Sequence, residues 1–157
     1  CQDMAELELH HPVDAVLVMC DGFNYITDKK RLNKALQRIY SALKPGGMLV
    51  FDISSYYKLA SILGNNLMAD TDSKISFIWQ NYFDSRESIC QMELTFFVKE
   101  NGSYRRFDEI HYQRAYHTEE IIELLEENGY TRIQCFHPFT FEPPKKRGHR
   151  VVFAAMK

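Results

Sequence analysis

The sequence lacks the spacings of cysteine and histidine that usually mark a metal site. Four cysteines stand far apart in 157 residues and form no C-x-x-C pair, so neither a zinc site nor a disulfide framework is predicted. The histidines show no H-E-x-x-H or similar spacing, so metal ligation is not expected. Thiols without a pairing pattern suit a reducing compartment, and we expect the protein in the cytoplasm.

The sequence also lacks a strong charge of one sign and a long apolar run. Its 19 basic and 21 acidic residues are mixed along the chain and leave a net charge of -2. Such a balance offers no basic surface for nucleic acid or for an anionic membrane. No apolar run approaches the roughly 20 residues that cross a bilayer. Neither nucleic acid nor a membrane is therefore an expected partner.

The first third of the chain has the pattern of an α/β protein. Val13 to Met19 is a near-continuous apolar run, typical of a parallel strand buried on both faces. A helix capped by Thr27 or Asp28 follows, with apolar residues three or four apart, and it ends at Pro45. Met48 to Ile53 is a second buried strand, so the segment predicts a right-handed βαβ unit.

The middle of the chain has the pattern of an antiparallel sheet. Tyr57 to Leu63 predicts a short helix, and the residues from there to Asp72 predict a loop. Three alternating runs then occupy residues 73–116, with a two-residue hairpin turn at Asn101 and Gly102. These runs predict a three-stranded antiparallel meander.

The end of the chain returns to the α/β pattern. Thr118 caps a helix whose first turn carries Glu119, where the helix dipole favours an anion, and Gly129 ends it. Tyr130 to Phe139 and His149 to Met156 predict two closing strands. We therefore expect a core made of residues 1–55 and 117–157, with residues 73–116 inserted as a lid.

One hexapeptide and four other stretches carry a resemblance to a known family. Cys20 to Tyr25, CDGFNY, stands at the carboxyl end of the first strand, where ligands collect in open parallel sheets. Taken with QDM near the start, ALKPGGMLVFDI, and FDEIHYQRAY before TEEIIELLEENGY, it resembles the class I S-adenosylmethionine-dependent methyltransferases. The resemblance is to one bacterial group of small predicted methyltransferases with a β-rich insertion, and it covers essentially the whole chain.

The resemblance implies both a fold and an activity. The fold is the second half of a Rossmann-like methyltransferase sheet with the inserted meander. The activity is transfer of a methyl group from S-adenosylmethionine to a small-molecule acceptor. The family's glycine-rich loop, and the acidic residue that ends its second strand, have no counterpart here, so we expect an N-terminally truncated member that is inactive alone. A non-catalytic interaction module that kept the fold and lost the cofactor is the alternative.

The resemblance also implies which residues bind the cofactor. A carboxylate can accept a hydrogen bond from the adenine amine while a thioether contacts the ring, and Asp3 and Met4 match the family's pair with this role. Asp21 matches a position beside the methionine portion. The alternatives are a solvated terminus for Asp3 and a turn cap before Gly22 for Asp21. The residues assigned to the cofactor are Gln2, Asp3, Met4, Cys20, Asp21 and Asn24.

Two residues, Tyr25 and His111, are assigned to catalysis. Strand alternation places His111 on one face of the meander with Glu109, while Arg114 lies on the reverse face. If the first face covers the cofactor, His111 held by Glu109 is a base or an orienting group, and Arg114 is an anion clamp. Glu109 and Arg114 are thus assigned to the substrate. The alternatives are a solvated polar face, a histidine bonded within the sheet and a core position for Tyr25.

The expected truncation has a structural consequence. Val13 to Met19 would normally pair with a strand of the missing segment, so its apolar edge should lie exposed. Such an edge invites pairing with a second copy or with a covering peptide. We therefore expect the chain to associate with itself.

Overall fold

The computed structural model describes residues 1–157, which form two sheets and two main helices. None of the helices combines the length and the apolarity that crossing a membrane requires. In chain order the elements are a 3-10 turn at Met4–Glu6, β1 at Val13–Val18, a 3-10 turn at Gly22–Tyr25, α1 at Lys29–Ala42, β2 at Leu43–Ser54, a short π-type helix at Lys58–Leu63, β3 at Leu67–Thr71, β4 at Ile75–Asp84, β5 at Ile89–Glu100, β6 at Ser103–Arg114, α2 at Thr118–Glu127, β7 at Thr131–Phe136 and β8 at Arg150–Met156.

The first sheet, here called the core sheet, has the strand order β1-β2-β8-β7. β1 and β2 are parallel and joined by α1, which confirms the predicted βαβ unit, while β8 runs antiparallel to β2 and β7. Helix α1 begins where the Asp28 carboxylate accepts the backbone N–H of Arg31 at 2.8 Å. Phe51 of β2 and Phe153 of β8 stack with ring centroids 4.8 Å apart. One cluster of 18 buried residues joins this sheet to the two helices.

β1 differs from its prediction. Its apolar run predicts burial on both faces, yet none of its six residues is buried, and Leu17 is 66% exposed. β1 pairs with β2 alone and forms an edge of the core sheet. The prediction of complete burial is wrong because an apolar run is the same whether or not neighbouring elements cover it. The exposed apolar edge that was expected is present, whereas self-association stays a prediction.

The second sheet, here called the lid sheet, is antiparallel throughout and has the order β3-β4-β5-β6. β4, β5 and β6 are the three strands predicted within residues 73–116, and Asn101 and Gly102 take positive φ angles of 49° and 84° at the hairpin turn. β3 is a fourth strand in the segment where the sequence predicts a loop, because its pairing with β4 is a tertiary contact. A smaller cluster of five buried residues lies between the short helix and the lid sheet.

Candidate functional site

Tyr25 stands where two hollows in the molecular surface meet. It ends a tight segment after β1, in which Cys20 and Asp21 take left-handed φ angles of 59° and 52°. The outer cleft, of about 470 Å³, is formed with the start of the chain. The lid cavity, of about 210 Å³, lies between the segment and the lid sheet. The outer cleft is lined by Gln2, Asp3, Met4, Gly22, Tyr25, Ile26, Thr27, Asp28 and Arg31, and the lid cavity by Asp21, Tyr25, Lys58, Leu63, Trp79, Met92, Leu94, His111 and Gln113.

The outer cleft contains the three residues at the chain start that were assigned to the cofactor. The Asp3 carboxylate accepts the backbone N–H of Ala5 at 2.9 Å and forms an ion pair with Arg31, and these contacts lower the pKa of Asp3. The Gln2 amide forms two hydrogen bonds with the backbone of Glu8: its Nε2 donates to the carbonyl oxygen at 3.1 Å, and its Oε1 accepts the N–H at 2.8 Å. The Asp3 carboxylate is thus charged, fixed in place and within the cleft.

Met4 reaches the CDGFNY segment at Gly22. A Cβ at Gly22 would lie 3.1 Å from Val18 Cγ1, so a larger residue would crowd that side chain, and 3.9 Å from Met4 Cε, which is an ordinary contact distance. The absence of a side chain therefore allows the segment to pack closely on the end of β1, with Met4 beside it. The cleft offers a carboxylate acceptor and a polarizable thioether, which are the groups that suit an adenine ring.

Asp21 is the centre of a polar network beside the lid cavity. Its Oδ2 accepts from Gln113 Nε2 at 2.7 Å and from Ser54 Oγ at 3.2 Å, and its Oδ1 accepts from Arg150 at 3.0 Å. Burial raises the pKa of Asp21, but the hydrogen bonds from Gln113 and Arg150 outweigh it, so the pKa lies below the usual value. The carboxylate is therefore ionised at neutral pH and is bound largely to the protein itself.

Arg150 and Lys58 belong to this network, although the sequence pattern does not reveal either. The Arg150 guanidinium also pairs with the buried carboxylate of Asp52, which accepts the backbone N–H of Asp21 at 3.1 Å. Lys58 Nζ donates to Ser54 Oγ at 3.1 Å. β8 runs antiparallel to β2, so its first residue lies opposite the last residue of β2. Only this strand register could have predicted that Arg150 lies near Asp21, and the register is a property of the folded sheet.

Asn24 is fully buried, and its amide is used within the protein. Its Nδ2 donates to the backbone oxygens of Ser54 at 3.1 Å and Arg114 at 2.9 Å, and its Oδ1 accepts the N–H of Ser54 at 2.9 Å. Both amide hydrogens are therefore engaged. Asn24 ties the end of β2 to the end of β6. Its assignment to cofactor binding stays a prediction, although the amide has no hydrogen left to donate to a cofactor.

Three other assigned residues, Cys20, Arg114 and Glu109, lie outside both hollows. Cys20 borders a separate apolar hollow with Phe139. The Arg114 guanidinium lies 5.6 Å from the centroid of the Tyr116 ring and donates to the Thr27 carbonyl at 3.4 Å. Neither Cys20 nor Arg114 lines the outer cleft or the lid cavity. Their assigned roles in cofactor and substrate binding stay predictions.

Tyr25 and His111, the two residues assigned to catalysis, are in contact. The Tyr25 hydroxyl lies 3.2 Å from His111 Nδ1, and the two rings meet edge to face with centroids 5.8 Å apart. On the other side of the imidazole, His111 Nε2 lies 3.1 Å from Glu109 Oε2. The face of β6 that carries these residues therefore borders the lid cavity.

Apolar side chains complete the lid cavity. Trp79, Met92 and Leu94 share the inner face of the lid sheet with His111, because Trp79 pairs with Leu94 and Met92 with His111 in register. Leu63 of the short helix adds a further wall. The indole N–H of Trp79 is buried and has no acceptor in the protein. An apolar lining with a few polar groups is typical of a small-molecule site.

Comparisons with known proteins are consistent with this geometry. No family model matches the chain. The chain is 37% identical over 157 residues to "Putative methyltransferase GWCH70_2453" of Geobacillus sp. (strain WCH70). It is 35% identical over 157 residues to "Putative methyltransferase YqeM" of Bacillus subtilis (strain 168). Each match covers 99% of the chain and 64% of the relative, so the chain spans less than two thirds of the length of these curated relatives.

Solved structures agree with the sequence matches. The crystal structure of an S-adenosylmethionine-dependent methyltransferase from Clostridium acetobutylicum ATCC 824 has a TM-score of 0.94 at 32% identity, over 99% of this chain and 63% of that one. CalS10, an amino pentose methyltransferase from Micromonospora echinaspora, has a TM-score of 0.77 at 16% identity, over 99% and 62%, and supports the fold alone. The chain is therefore similar in sequence and in fold to S-adenosylmethionine-dependent methyltransferases, in agreement with the resemblance that its motifs carry. Truncation itself stays a prediction.

Proposed function

We propose that the whole protein transfers a methyl group from S-adenosylmethionine to a small-molecule acceptor held in the lid cavity. The observation that carries this proposal is that Tyr25 lines both the outer cleft and the lid cavity. A cofactor in the first hollow and an acceptor in the second would meet at this residue. The names of the curated relatives support the reaction class. A cytoplasmic location, expected because the four cysteines are free, belongs to the same proposal.

The residues of the outer cleft fit part of the cofactor. Asp3 offers an acceptor for the adenine amine, and Met4 offers an apolar surface for the ring. Bound there, the cofactor supplies an electrophilic methyl group, and its sulfur keeps the electron pair of the broken carbon–sulfur bond. The chain contains no G-x-G-x-G stretch to hold the methionine portion. We accordingly propose weak or no cofactor binding by this chain alone and clear binding by the whole protein.

The residues of the chain would act mainly through placement. Methyl transfer from a sulfonium needs an in-line nucleophile and a dry site more than it needs a strong base. The apolar side chains of the lid sheet would exclude water from the cavity, and the hydrogen bond from Gln113 to Asp21 holds that sheet against the strand ends. Glu109 and Arg114 remain the proposed substrate ligands, and of the two Glu109 is connected to the cavity through His111.

A non-catalytic interaction module is the second candidate function. Asp21 and Asn24 have their polar atoms bound within the protein, as expected where a segment is kept for its shape. An interaction module of this kind would bind no cofactor. Cofactor binding by the whole protein therefore discriminates between the two functions.

Calorimetric titration of the whole protein with S-adenosylhomocysteine tests the proposal. We expect saturable binding, weakened about tenfold by Asp3→Ala because the substitution removes the proposed acceptor for the adenine amine. Asp14→Ala is the matched control, since it removes an exposed carboxylate that pairs with Lys44 outside the cleft, and it should bind as the unchanged protein does. A folded protein that shows neither heat nor saturation would reject the enzyme and favour the interaction module.

A further inference from the structure

Three side chains form a continuous hydrogen-bonded chain at the edge of the lid cavity. Tyr25 Oη lies 3.2 Å from His111 Nδ1, and His111 Nε2 lies 3.1 Å from Glu109 Oε2. Tyr25 comes from the segment after β1, whereas the other two residues come from β6. These three hydrogen-bonded side chains therefore span the junction of the core sheet and the lid sheet, and their hydrogen bonds exist only while the lid sheet is docked.

The chemistry of the three groups fixes the direction of their hydrogen bonds. The Glu109 carboxylate can only accept, so a neutral His111 carries its proton on Nε2, and Nδ1 is left as an acceptor. The Tyr25 hydroxyl then donates to Nδ1. Its oxygen lone pairs remain free on a side chain that is 49% exposed and lines the cavity. A molecule in the cavity that carries a hydroxyl group can therefore donate to Tyr25.

We propose that Tyr25, His111 and Glu109 form a proton relay and that the methyl acceptor is a hydroxyl group on a single aromatic ring. This inference rests on the proposed function and names its substrate class. As the acceptor oxygen bonds to the methyl carbon, its proton passes to Tyr25 Oη while the proton of Tyr25 passes to His111 Nδ1. The resulting imidazolium is held by the Glu109 carboxylate and later returns its proton through Tyr25 to water.

The dimensions and lining of the cavity support an aromatic ring. About 210 Å³ is below the roughly 300–1,000 Å³ of pockets for drug-sized ligands, so a single ring is the size that fits. Trp79, Met92 and Leu94 offer flat and polarizable walls. The unpartnered N–H of Trp79 can donate to a further oxygen of the ring. Lys58 places a cation in the same cavity, which favours the negative charge that develops on a phenolic oxygen.

Ligand binding to the chain is the first test, with 4-methylphenol and its methyl ether as probes. Trp79 is the single tryptophan of the chain and lines the cavity, so its fluorescence reports occupancy. We expect saturable binding of the phenol, about tenfold tighter than that of the ether, because only the phenol donates to Tyr25. Tyr25→Phe should remove the difference. Equal affinities in the unchanged chain, or no saturable change, would overturn the substrate class.

The imidazole of His111 provides a second readout that does not depend on turnover. Nitrogen-15 NMR should show the proton on Nε2, and both Tyr25→Phe and Glu109→Gln should shift the ring signals. Tyr112→Phe is the matched control, because Tyr112 is 48% exposed on the opposite face of β6 and its loss should leave the signals unchanged. A proton found on Nδ1 in the unchanged protein would overturn the relay.

Activity of the whole protein separates failure of the relay from failure of the proposed function. Binding of S-adenosylhomocysteine should survive His111→Gln, because His111 lines the lid cavity and not the outer cleft, while kcat for methylation of the phenol should fall roughly 100-fold, the lower end of general acid–base effects. An unchanged kcat with normal cofactor binding would refute the relay and leave the methyltransferase standing. Absence of cofactor binding in the unchanged whole protein would refute the proposed function itself.

Discussion

The core sheet and the lid sheet are held together in different ways. The core sheet lies in a cluster of 18 buried residues, and β8 alternates between buried and half-buried positions along its whole length. The lid sheet has a cluster of five, and β6 is exposed from Ser103 to Ile110. Apolar burial therefore provides most of the stability in the core sheet, because burial free energy scales with the apolar area removed from water. The lid sheet needs other contacts to hold its position.

Those contacts come from one segment of the core. Asn24 donates to the backbone of Arg114 at 2.9 Å, Asp21 accepts from Gln113 at 2.7 Å, and Tyr25 contacts His111 at 3.2 Å. All three bonds join residues 20–25 to β6. The segment that carries the proposed site thus also positions the lid sheet, so a substitution in the segment should alter the docking of the lid sheet, and a substitution in β6 should alter the site.

The largest expected loss of stability follows a truncation in the core sheet. Phe153→Ala removes a fully buried ring stacked on Phe51 and should lower the free energy of unfolding by about 4 kcal/mol. Phe107→Ala removes the same ring from the lid sheet, where it is 37% exposed, and should cost less than half as much. Urea denaturation measures both values. Equal losses would mean that the two sheets are stabilised alike.

Loss of the Asn24 amide should be nearly as costly and should act on the lid. Asn24→Ala leaves one N–H and two carbonyl groups without a partner, and we expect a loss of about 3 kcal/mol. Hydrogen exchange should quicken across β6 more than across β8. Asn33→Ala is the control, since this half-buried amide bonds only to Asn128. Uniform quickening of exchange in both sheets would contradict a role in lid docking.

The exposed edge of β1 should make the chain associate with itself. Leu17 is 66% exposed on an apolar strand that pairs on one side only, and such edges template further pairing. Leu17→Lys should weaken association about tenfold or more, because a charge blunts the edge. Sedimentation velocity over a range of concentrations measures the effect. A clean monomer of the unchanged chain at high concentration would refute the prediction.

Acid should loosen the lid before the core. Since the pKa of Asp21 is lowered in the folded state, its contribution to stability is present above the ordinary aspartate pKa of about 3.9 and is lost as the pH falls through the folded value. The groups that face this carboxylate are Gln113, Ser54, Arg150 and Lys58. The free energy of unfolding, measured by denaturation at a series of pH values from 6 downward, should therefore fall less steeply for Asp21→Asn than for the unchanged protein. Identical slopes would show that Asp21 does not titrate with unfolding.

The smallest effect is expected on the outer face of the lid sheet. Ile110→Thr changes a side chain that is 59% exposed on β6, and the free energy of unfolding should stay within about 0.5 kcal/mol. Affinity for S-adenosylhomocysteine should not change. A larger loss, measured in urea, would indicate that another molecule or segment covers this face.

Much of the architecture follows from patterns within short windows. Apolar periodicity predicts α1, α2 and every strand of the two sheets except β3, and Asn101 and Gly102 mark the hairpin that the structure has there. β3 was not predicted because its five residues form a strand only by pairing with β4. Burial of β1 was predicted wrongly for the same kind of reason, since a strand's neighbours do not appear in its own residues.

The candidate site divides in a similar way. Asp3, Met4 and Tyr25 were assigned from the sequence, and the structure brings them to one cleft. Arg150, Lys58 and Trp79 were not assigned, because each lies in an ordinary stretch of its own element.

The amino-acid sequence alone determined most of the elements, the α/β class and the resemblance to methyltransferases, because these depend on local periodicity and on motifs that survive in the linear order. Only the tertiary structure decided that the inner face of β6 meets residues 20–25 and that the polar groups of Asp21 and Asn24 form hydrogen bonds to β6 that hold it there. Those contacts join residues about ninety positions apart, and their energies depend on distances that no local pattern contains.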